Sequence, residues 1–324
     1  MKLLIQRKFV VFLLFVMAAC SVSQNTSNTA ASSGLPSPTP SPTPTPAPGS
    51  SVAYMANQAN DTVSVCHIQP DGTFTSCATT GSGFDGSFGV TLNPAATFAY
   101  VANSNNTVSY CAVNNNHTFG TCNATGAVFQ SPFDVLLNSA GTEAYVADTG
   151  GASVSVCPVN NDGSLGSCSA TGTGLDGPGG LAMNPANTFM YVTNLDNNTV
   201  SVCAVLGSSL LSSCATTGSG FNVPIGVVIN SANTYAYIAN YSGGTIFLCS
   251  VNSSDGTLSS CNSTGTASFA SPDSIAINLQ GTVAYVTDAV NDEVWICPIN
   301  NDGTLGTCTT TGSGFDFPVG IVLH

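Results

Sequence analysis

Cysteine is the most regularly spaced reactive residue in this chain, so thiol chemistry is considered first. Twelve of the thirteen cysteines fall into six pairs. The pairs are Cys66/Cys77, Cys111/Cys122, Cys157/Cys168, Cys203/Cys214, Cys249/Cys261 and Cys297/Cys308. In three pairs the midpoint is Asp-Gly, at Asp71-Gly72, Asp162-Gly163 and Asp302-Gly303, which favours a tight hairpin. Such a hairpin places both cysteines opposite each other, about 5.5 Å apart at Cα, so we predict six disulfides.

Two other uses of the paired cysteines fit less well. Zinc sites usually contain a close C-x2-C pair or histidines, whereas these pairs lack the C-x2-C spacing and have no histidine that recurs from one pair to the next. Free thiols are uncommon in exported proteins. We therefore expect the twelve cysteines to be structural.

Carboxylate and amide side chains also recur, and their oxygen atoms could bind a hard cation. One set precedes a short apolar segment in successive repeats and comprises Asp85, Gln130, Asp176, Asn222 and Asp316. A second set ends a tyrosine-containing segment and comprises Asn57, Asn103, Asp148, Asn194, Asn240 and Asp288. We expect both sets on one face as a candidate ligand rim. Their carboxylates would repel unless hydrated, protonated or bridged by Ca²⁺; alternatively, these side chains only satisfy turn backbones.

Basic side chains are confined to the start of the chain. Lys2, Arg7 and Lys8 are the three basic residues apart from histidine, against sixteen Asp and Glu. Anionic ligands would therefore have to use backbone N–H groups, and nucleic-acid binding is excluded because it depends on cation–phosphate contacts. No G-x-S-x-G nucleophile motif occurs, and no histidine has a Ser or Asp partner in the repeat register. We predict no nucleophilic catalytic site.

A repeat positions all of these residues. Six copies begin at Ala53, Ala99, Ala144, Met190, Ala236 and Ala284, which are 46, 45, 46, 46 and 48 residues apart. Each copy offers four short segments rich in β-branched residues and flanked by Gly, Asn, Asp or Pro. This predicts an all-β, six-bladed propeller of four-stranded antiparallel blades over residues 52–324. Because the last copy ends on an inner-strand segment, we expect that segment to pair beside Tyr54 and close the ring.

One copy carries a recognisable family motif. Tyr191-Val192-Thr193-Asn194 resembles the motif that names the YVTN β-propeller family, and the other copies are variants of it. The resemblance implies a surface protein of bacterial or archaeal type, and more distantly a lactonase-like propeller. Seven blades are common among these relatives, so a seven-bladed ring is the alternative.

The first fifty residues are typical of an exported, anchored protein. A basic start and an apolar run are followed by Met17-Ala18-Ala19-Cys20, which resembles a bacterial lipobox. The resemblance implies a signal peptide over 1–19 and a lipid on Cys20, which explains the unpaired cysteine; an ordinary signal peptide is the alternative. Residues 20–51 form a predicted disordered Ser/Thr/Pro-rich linker. We expect a lipid-anchored protein of the bacterial cell envelope, in the outer membrane or at the cell surface.

Two functions remain open from the sequence. The first is a non-enzymatic surface module that binds a protein or glycan and needs no cofactor. The second is a lactonase-like hydrolase with its site at the channel mouth. Fold alone does not choose between them.

Calcium binding at the rim can be tested directly. If the rim carboxylates bind Ca²⁺, millimolar Ca²⁺ should raise the melting temperature, because a ligand that binds only the folded state stabilises it. The measurement is a thermal melt with and without Ca²⁺, together with elemental analysis. An unchanged melting temperature and no bound metal would reject a calcium site.

Overall fold

The computed structural model describes residues 51–324. The predicted signal peptide, the lipid on Cys20 and the linker up to residue 50 lie outside the described residues. Among residues 51–324, no helix is long and apolar enough to cross a membrane.

Short strands make up most of the described chain. In chain order they are β1 (Val52–Asn57), β2 (Thr62–Ile68), β3 (Phe74–Thr80), β4 (Ser87–Leu92), β5 (Phe98–Asn103), β6 (Thr107–Val113), β7 (Phe119–Ala124), β8 (Pro132–Leu137), β9 (Glu143–Asp148), β10 (Ser153–Pro158), β11 (Ser169–Thr171), β12 (Pro178–Met183), β13 (Phe189–Asn194), β14 (Thr199–Ala204), β15 (Ala215–Thr217), β16 (Pro224–Ile229), β17 (Tyr235–Asn240), β18 (Thr245–Val251), β19 (Leu258–Thr264), β20 (Pro272–Ile277), β21 (Val283–Asp288), β22 (Glu293–Pro298), β23 (Thr309–Thr310) and β24 (Pro318–Leu323). Single 3₁₀ turns follow three of the tyrosine-containing strands, at Thr149–Gly151, Tyr241–Gly243 and Ala289–Asn291.

These strands form six four-stranded antiparallel sheets, which confirms the predicted six-bladed propeller. Blade 1 is assembled from both ends of the described chain, in the order β24-β1-β2-β3, and blades 2 to 6 are each continuous in sequence. Tyr54 of β1 pairs with Val322 of β24, as expected for ring closure. The inner strands β4, β8, β12, β16, β20 and β24 each contact the inner strands of both neighbouring blades. The six inner strands therefore surround one central channel.

The tyrosine-containing strands form the core of each blade. All six residues of β1 are buried, because neighbouring blades cover both faces of its sheet. The equivalent strand of each blade has one such tyrosine, and all six are among the largest fully buried side chains: Tyr54, Tyr100, Tyr145, Tyr191, Tyr237 and Tyr285. Their rings fill the space between adjacent blades.

Five of the six tyrosine hydroxyls connect one blade to the next. Each donates a hydrogen bond to a backbone carbonyl in the outer hairpin of the following blade, at His117, Gly163, Ser209, Gly303 and Gly72. Tyr191 is the exception, and its buried hydroxyl has no partner. The hairpin that follows it in the ring, in blade 5, has one more residue between its cysteines than the other hairpins. The longer turn does not present a carbonyl to Tyr191.

The six predicted disulfides are present, one in the outer hairpin of each blade. They join Cys66 to Cys77, Cys111 to Cys122, Cys157 to Cys168, Cys203 to Cys214, Cys249 to Cys261 and Cys297 to Cys308. The first cysteine of every pair is fully buried. Its partner is half-buried in five blades, and Cys308 is buried. All twelve cysteines of the described residues are therefore structural, as predicted.

The geometry of these pairs differs from the prediction in one respect. The Cα–Cα separations run from 4.0 Å for Cys66–Cys77 to 4.3 Å for Cys203–Cys214. They are shorter than the about 5.5 Å expected for a hydrogen-bonded strand pair, so the expected spacing is wrong although the pairing is confirmed. The presence of six disulfides indicates an oxidising compartment outside the cytosol.

The tyrosine network allows a matched comparison of stability. We expect Tyr100→Phe to lower the free energy of unfolding by about 1 kcal/mol, because the hydrogen bond to Gly163 is lost. Tyr191→Phe removes a hydroxyl that has no partner and should not lower it. Urea unfolding of both oxidised variants measures the difference. Equal losses in the two variants would contradict this account of the interfaces.

Candidate functional site

The predicted ligand rim serves the backbone of the loops. The strand-end side chains accept hydrogen bonds from backbone N–H groups that precede the inner strands, as in Asp148 from Gln130 at 2.5 Å. Asp288 accepts two such bonds, from Ala270 at 2.8 Å and Ser271 at 2.7 Å. The other acceptors, each followed by its donor, are Asn57 from Asp316, Asn103 from Asp85, Asn194 from Asp176 and Asn240 from Asn222. These side chains therefore stabilise the turns by accepting backbone hydrogen bonds, which is the alternative that the sequence left open for the rim.

The loop members of the rim do not gather into one cluster. Four of them are exposed, namely Asp85, Gln130, Asp176 and Asn222, and Asp316 is half-buried. Each donates a hydrogen bond to its strand-end partner from its backbone N–H, so its side chain takes no part in that contact. Within residues 51–324, no three His, Cys, Asp or Glu side chains are already arranged as metal ligands. Calcium at the rim stays a prediction.

A cavity of about 310 Å³ lies in the central channel and is lined by the six inner strands. At their third position four of these strands have glycine, at Gly89, Gly180, Gly226 and Gly320. A Cβ on Gly226 would lie 2.7 Å from the carbonyl oxygen of Asp273 in the next blade, so adjacent inner strands approach too closely for a side chain there. The size of the cavity is at the lower end of the range for small-molecule sites.

Two carboxylates interrupt this apolar and glycine-rich wall. Asp134 of β8 occupies the third position where most inner strands have glycine, and Asp273 of β20 occupies the second position. Strands β8 and β20 belong to blades three apart in a ring of six, so they face each other across the channel. Both aspartates line the cavity. The fold thus brings two acidic groups to one small chamber.

The Asp134 carboxylate is held by backbone donors. Its Oδ2 accepts a hydrogen bond from Leu181 N–H of the next inner strand at 2.9 Å, and its Oδ1 accepts one from Val135 N–H at 2.8 Å. The carboxylate also lies against Gly89 of the preceding inner strand. Part of its surface remains accessible from the cavity, so a bound molecule could reach it.

Burial favours the protonated form of both carboxyl groups. Burial raises the pKa of Asp134 to about 6, against the partly compensating hydrogen bonds from Leu181 and Val135. The pKa of Asp273, which is only 3% exposed, is raised well above its usual range by burial and further by the charge of Asp134. Because residues 9–324 contain no Lys or Arg, no side-chain cation of that kind offsets the two charges. The two groups therefore disfavour ionising together.

Aromatic rings stand beside the aspartates. Phe88 and Phe133, at the second position of adjacent inner strands, stack with their centroids 4.7 Å apart and line the cavity. Burial, with a further contribution from the charge of Asp273, raises the pKa of Tyr241 to about 12. The chamber combines a flat apolar wall with two coupled acids.

Sequence reasoning about loops missed Asp134 and Asp273 because both lie inside strands. A signal was present: aligning the inner strands shows Asp134 where Gly89, Gly180 and Gly226 stand in other blades. An acid in a strand whose counterparts are glycine or apolar is unexpected for packing. Two acids of which one, when ionised, favours the protonated form of the other can act as a proton acceptor and a proton donor.

Stability should depend on pH through Asp134. Its pKa is raised in the folded protein to about 6 and is near 3.9 when unfolded, so the folded state binds the proton more tightly. Its contribution to stability is fully present below about pH 4 and is lost as pH rises through 6, by up to about 3 kcal/mol. Asp134→Asn should therefore stabilise the protein at pH 7 and change little at pH 4, measured by urea unfolding.

The hairpin aspartates supply the control for this prediction. Hydrogen bonds from Thr73 lower the pKa of Asp71, so its stabilisation is present above about pH 4 and is lost only as pH falls further. Asp71→Asn should not reproduce the change between pH 4 and pH 7. If Asp134→Asn shows the same stability difference from the parent at both pH values, the raised pKa is contradicted.

Comparison with known proteins agrees with this architecture. Residues 85–323 match the family model "Lactonase, 7-bladed beta-propeller", whereas a search of curated proteins finds no match.

Solved structures share the fold at low sequence identity. A 6-phosphogluconolactonase candidate from Bacteroides uniformis is 13% identical, with a TM-score of 0.63 over 85% of this chain and 100% of that chain. The periplasmic gluconolactonase of Pseudomonas aeruginosa is 15% identical, with a TM-score of 0.62 over 85% of each chain. A chain of a nidogen/laminin complex is 12% identical, with a TM-score of 0.68 over 84% of this chain and 98% of that chain. The chain belongs to the lactonase β-propeller family, and its described part builds that fold with six blades.

Proposed function

We propose that this protein is a lactonase-like hydrolase in which Asp134 and Asp273 act as a general base and a general acid on an uncharged lactone bound in the channel. The observation that carries the proposal is that both carboxylates line one cavity of about 310 Å³. Membership of the lactonase family supports the reaction class by analogy.

The two raised pKa values divide the catalytic roles. At neutral pH Asp134, with a pKa of about 6, is ionised, and its charge favours the protonated form of Asp273. Asp134 accepts a proton from water as the water oxygen bonds to the lactone carbonyl carbon. The ring C–O bond breaks, and Asp273 donates its proton to the leaving oxygen. Return of a proton from Asp134 to Asp273 through solvent restores the starting state.

The charges of the channel define the substrate class. A phosphorylated lactone would meet the negative charge of Asp134 and no Lys or Arg, since residues 9–324 contain neither. An uncharged sugar lactone avoids this repulsion and can place an apolar ring face on Phe88 and Phe133. The hydroxy-acid product carries a new negative charge, which favours its release from an acidic channel. We therefore infer a preference for lactones without phosphate.

The proposal predicts hydrolysis of glucono-1,5-lactone in preference to its 6-phosphate. Asp134→Asn and Asp273→Asn should each lower kcat/KM by about a hundredfold or more, since each removes one partner of the acid–base pair. The measurement is a pH-stat assay of the oxidised protein, with and without Ca²⁺, corrected for spontaneous hydrolysis. Asp85→Asn and Asp176→Asn serve as matched controls on the exposed loops and should retain activity.

The assay also separates the two candidate functions. A folded protein that hydrolyses no lactone, or whose channel variants keep full activity, would reject the hydrolase. The second candidate is a non-enzymatic module that binds a protein or glycan. It is favoured by a cavity lined by two acidic side chains and a phenylalanine pair, with no Lys or Arg to balance the acids. That combination suits a cationic side chain from a partner. In either case we propose attachment to the outer membrane through a lipid on Cys20.

A further inference from the structure

The three histidines of this chain come together at one place. His67 lies on β2, His117 lies in the turn between β6 and β7, and His324 follows β24. The ring centroids of His67 and His117 are 6.5 Å apart, and those of His117 and His324 are 5.8 Å apart. The cluster lies at the junction of blade 1, blade 2 and the closing strand.

The first strand holds the backbone of all three histidines. Val52 is the register partner of His67. It also exchanges two backbone hydrogen bonds with His324, at 2.9 and 2.8 Å. The Tyr54 hydroxyl donates to the carbonyl oxygen of His117 at 2.8 Å. These contacts fix the backbone position of each histidine.

The repeat does not explain these histidines. At the turn position of His117 other blades have Gly72, Gly163, Ser209 and Gly303, whose carbonyls accept the equivalent tyrosine bonds. His117 has a φ of 65°, a conformation that favours glycine. At the position of His67, directly after the strand cysteine, other blades have Ala112, Pro158, Ala204, Ser250 and Pro298. Histidines thus replace non-ligand residues at this one junction.

The cluster has the chemistry of a transition-metal site. Neutral imidazole nitrogen is a preferred ligand of zinc and related ions. The Nδ1 atom of His67 is buried and has no hydrogen-bond partner. Cysteine does not compete, because the twelve cysteines of the described residues are in disulfides. The net charge of −13 attracts cations to the protein.

The spacing is close to that of ligands on one ion. With Zn–N bonds of about 2.0–2.1 Å and a tetrahedral angle, two coordinating imidazoles have centroids about 5.2 Å apart. The observed 5.8 and 6.5 Å exceed this by roughly 1 Å, so the rings are near a coordinating arrangement without having reached it. His324 is exposed and His117 half-buried, which leaves room for their side chains to turn.

We propose that His67, His117 and His324 bind one divalent transition-metal ion of the zinc type, with water completing its coordination. The ion would join the first two blades to the last strand of the ring. Because it would bind only where the closed ring brings the three residues together, it would stabilise the closed ring.

Zinc titration of the oxidised protein tests the proposal. We expect one Zn²⁺ per chain by calorimetry at pH 7.5, with a rise in melting temperature and a change in the histidine side-chain ¹⁵N shifts. His117→Gly places the residue of the sister hairpins in the turn, so it should fold and should lose the one-to-one binding. Ser209→Gly makes the corresponding change in blade 4 and should bind zinc as the parent does.

The outcomes are distinct and independent of lactone hydrolysis. Binding by the parent and Ser209→Gly, lost in His117→Gly and in His67→Ala, supports the site. No zinc bound by the parent, or equal binding by His117→Gly, overturns it. A thiol count on the same samples identifies zinc held by reduced cysteine, which would also overturn it.

Discussion

Ring closure is the constraint on which the rest of the structure depends. Strand β24 pairs with β1, and the two hydrogen bonds between Val52 and His324 extend that pairing to the end of the chain. Closure leaves no inner strand without neighbours on both sides, and it removes a sheet edge that could pair with another molecule. The channel and the histidine cluster depend on the closed ring, because all six inner strands line the channel and β24 brings His324 to the cluster.

Blade interfaces combine buried tyrosine rings with hydrogen bonds. Besides the tyrosine hydroxyls, threonine hydroxyls take part in the interfaces. They accept hydrogen bonds from backbone N–H groups of the following blade, as Thr80 does from Phe119 and Thr311 from Phe74. Where the repeat varies, the network has gaps: the hydroxyls of Thr125 and Tyr191 lack partners. Disulfides within each blade add stability that does not depend on these contacts, mainly by restricting the unfolded chain.

The distribution of charge separates structural acids from the candidate site. Hairpin acids such as Asp71 accept hydrogen bonds from the next turn residues, which lower their pKa values. Asp134 and Asp273 have raised pKa values in the channel, so ionisation of either group costs stability. Groups that lower stability without serving packing are characteristic of functional sites. The rim acids are weaker candidates, because Asp85 and Asp176 are exposed whereas Asp148 and Asp288 already accept hydrogen bonds from loop N–H groups.

Local patterns in the sequence determined the repeat, the blade number, the closing strand and the cysteine partners, since each depends on residues within one repeat or on the phase of its copies. Only the tertiary structure decided that Asp134 and Asp273 share a chamber, that the rim side chains brace loops, and that three histidines meet. A six-fold ring brings together residues that are far apart in sequence, and the pKa of a carboxyl depends on the burial and charges that this assembly creates. Neither property can be read from a repeat considered alone.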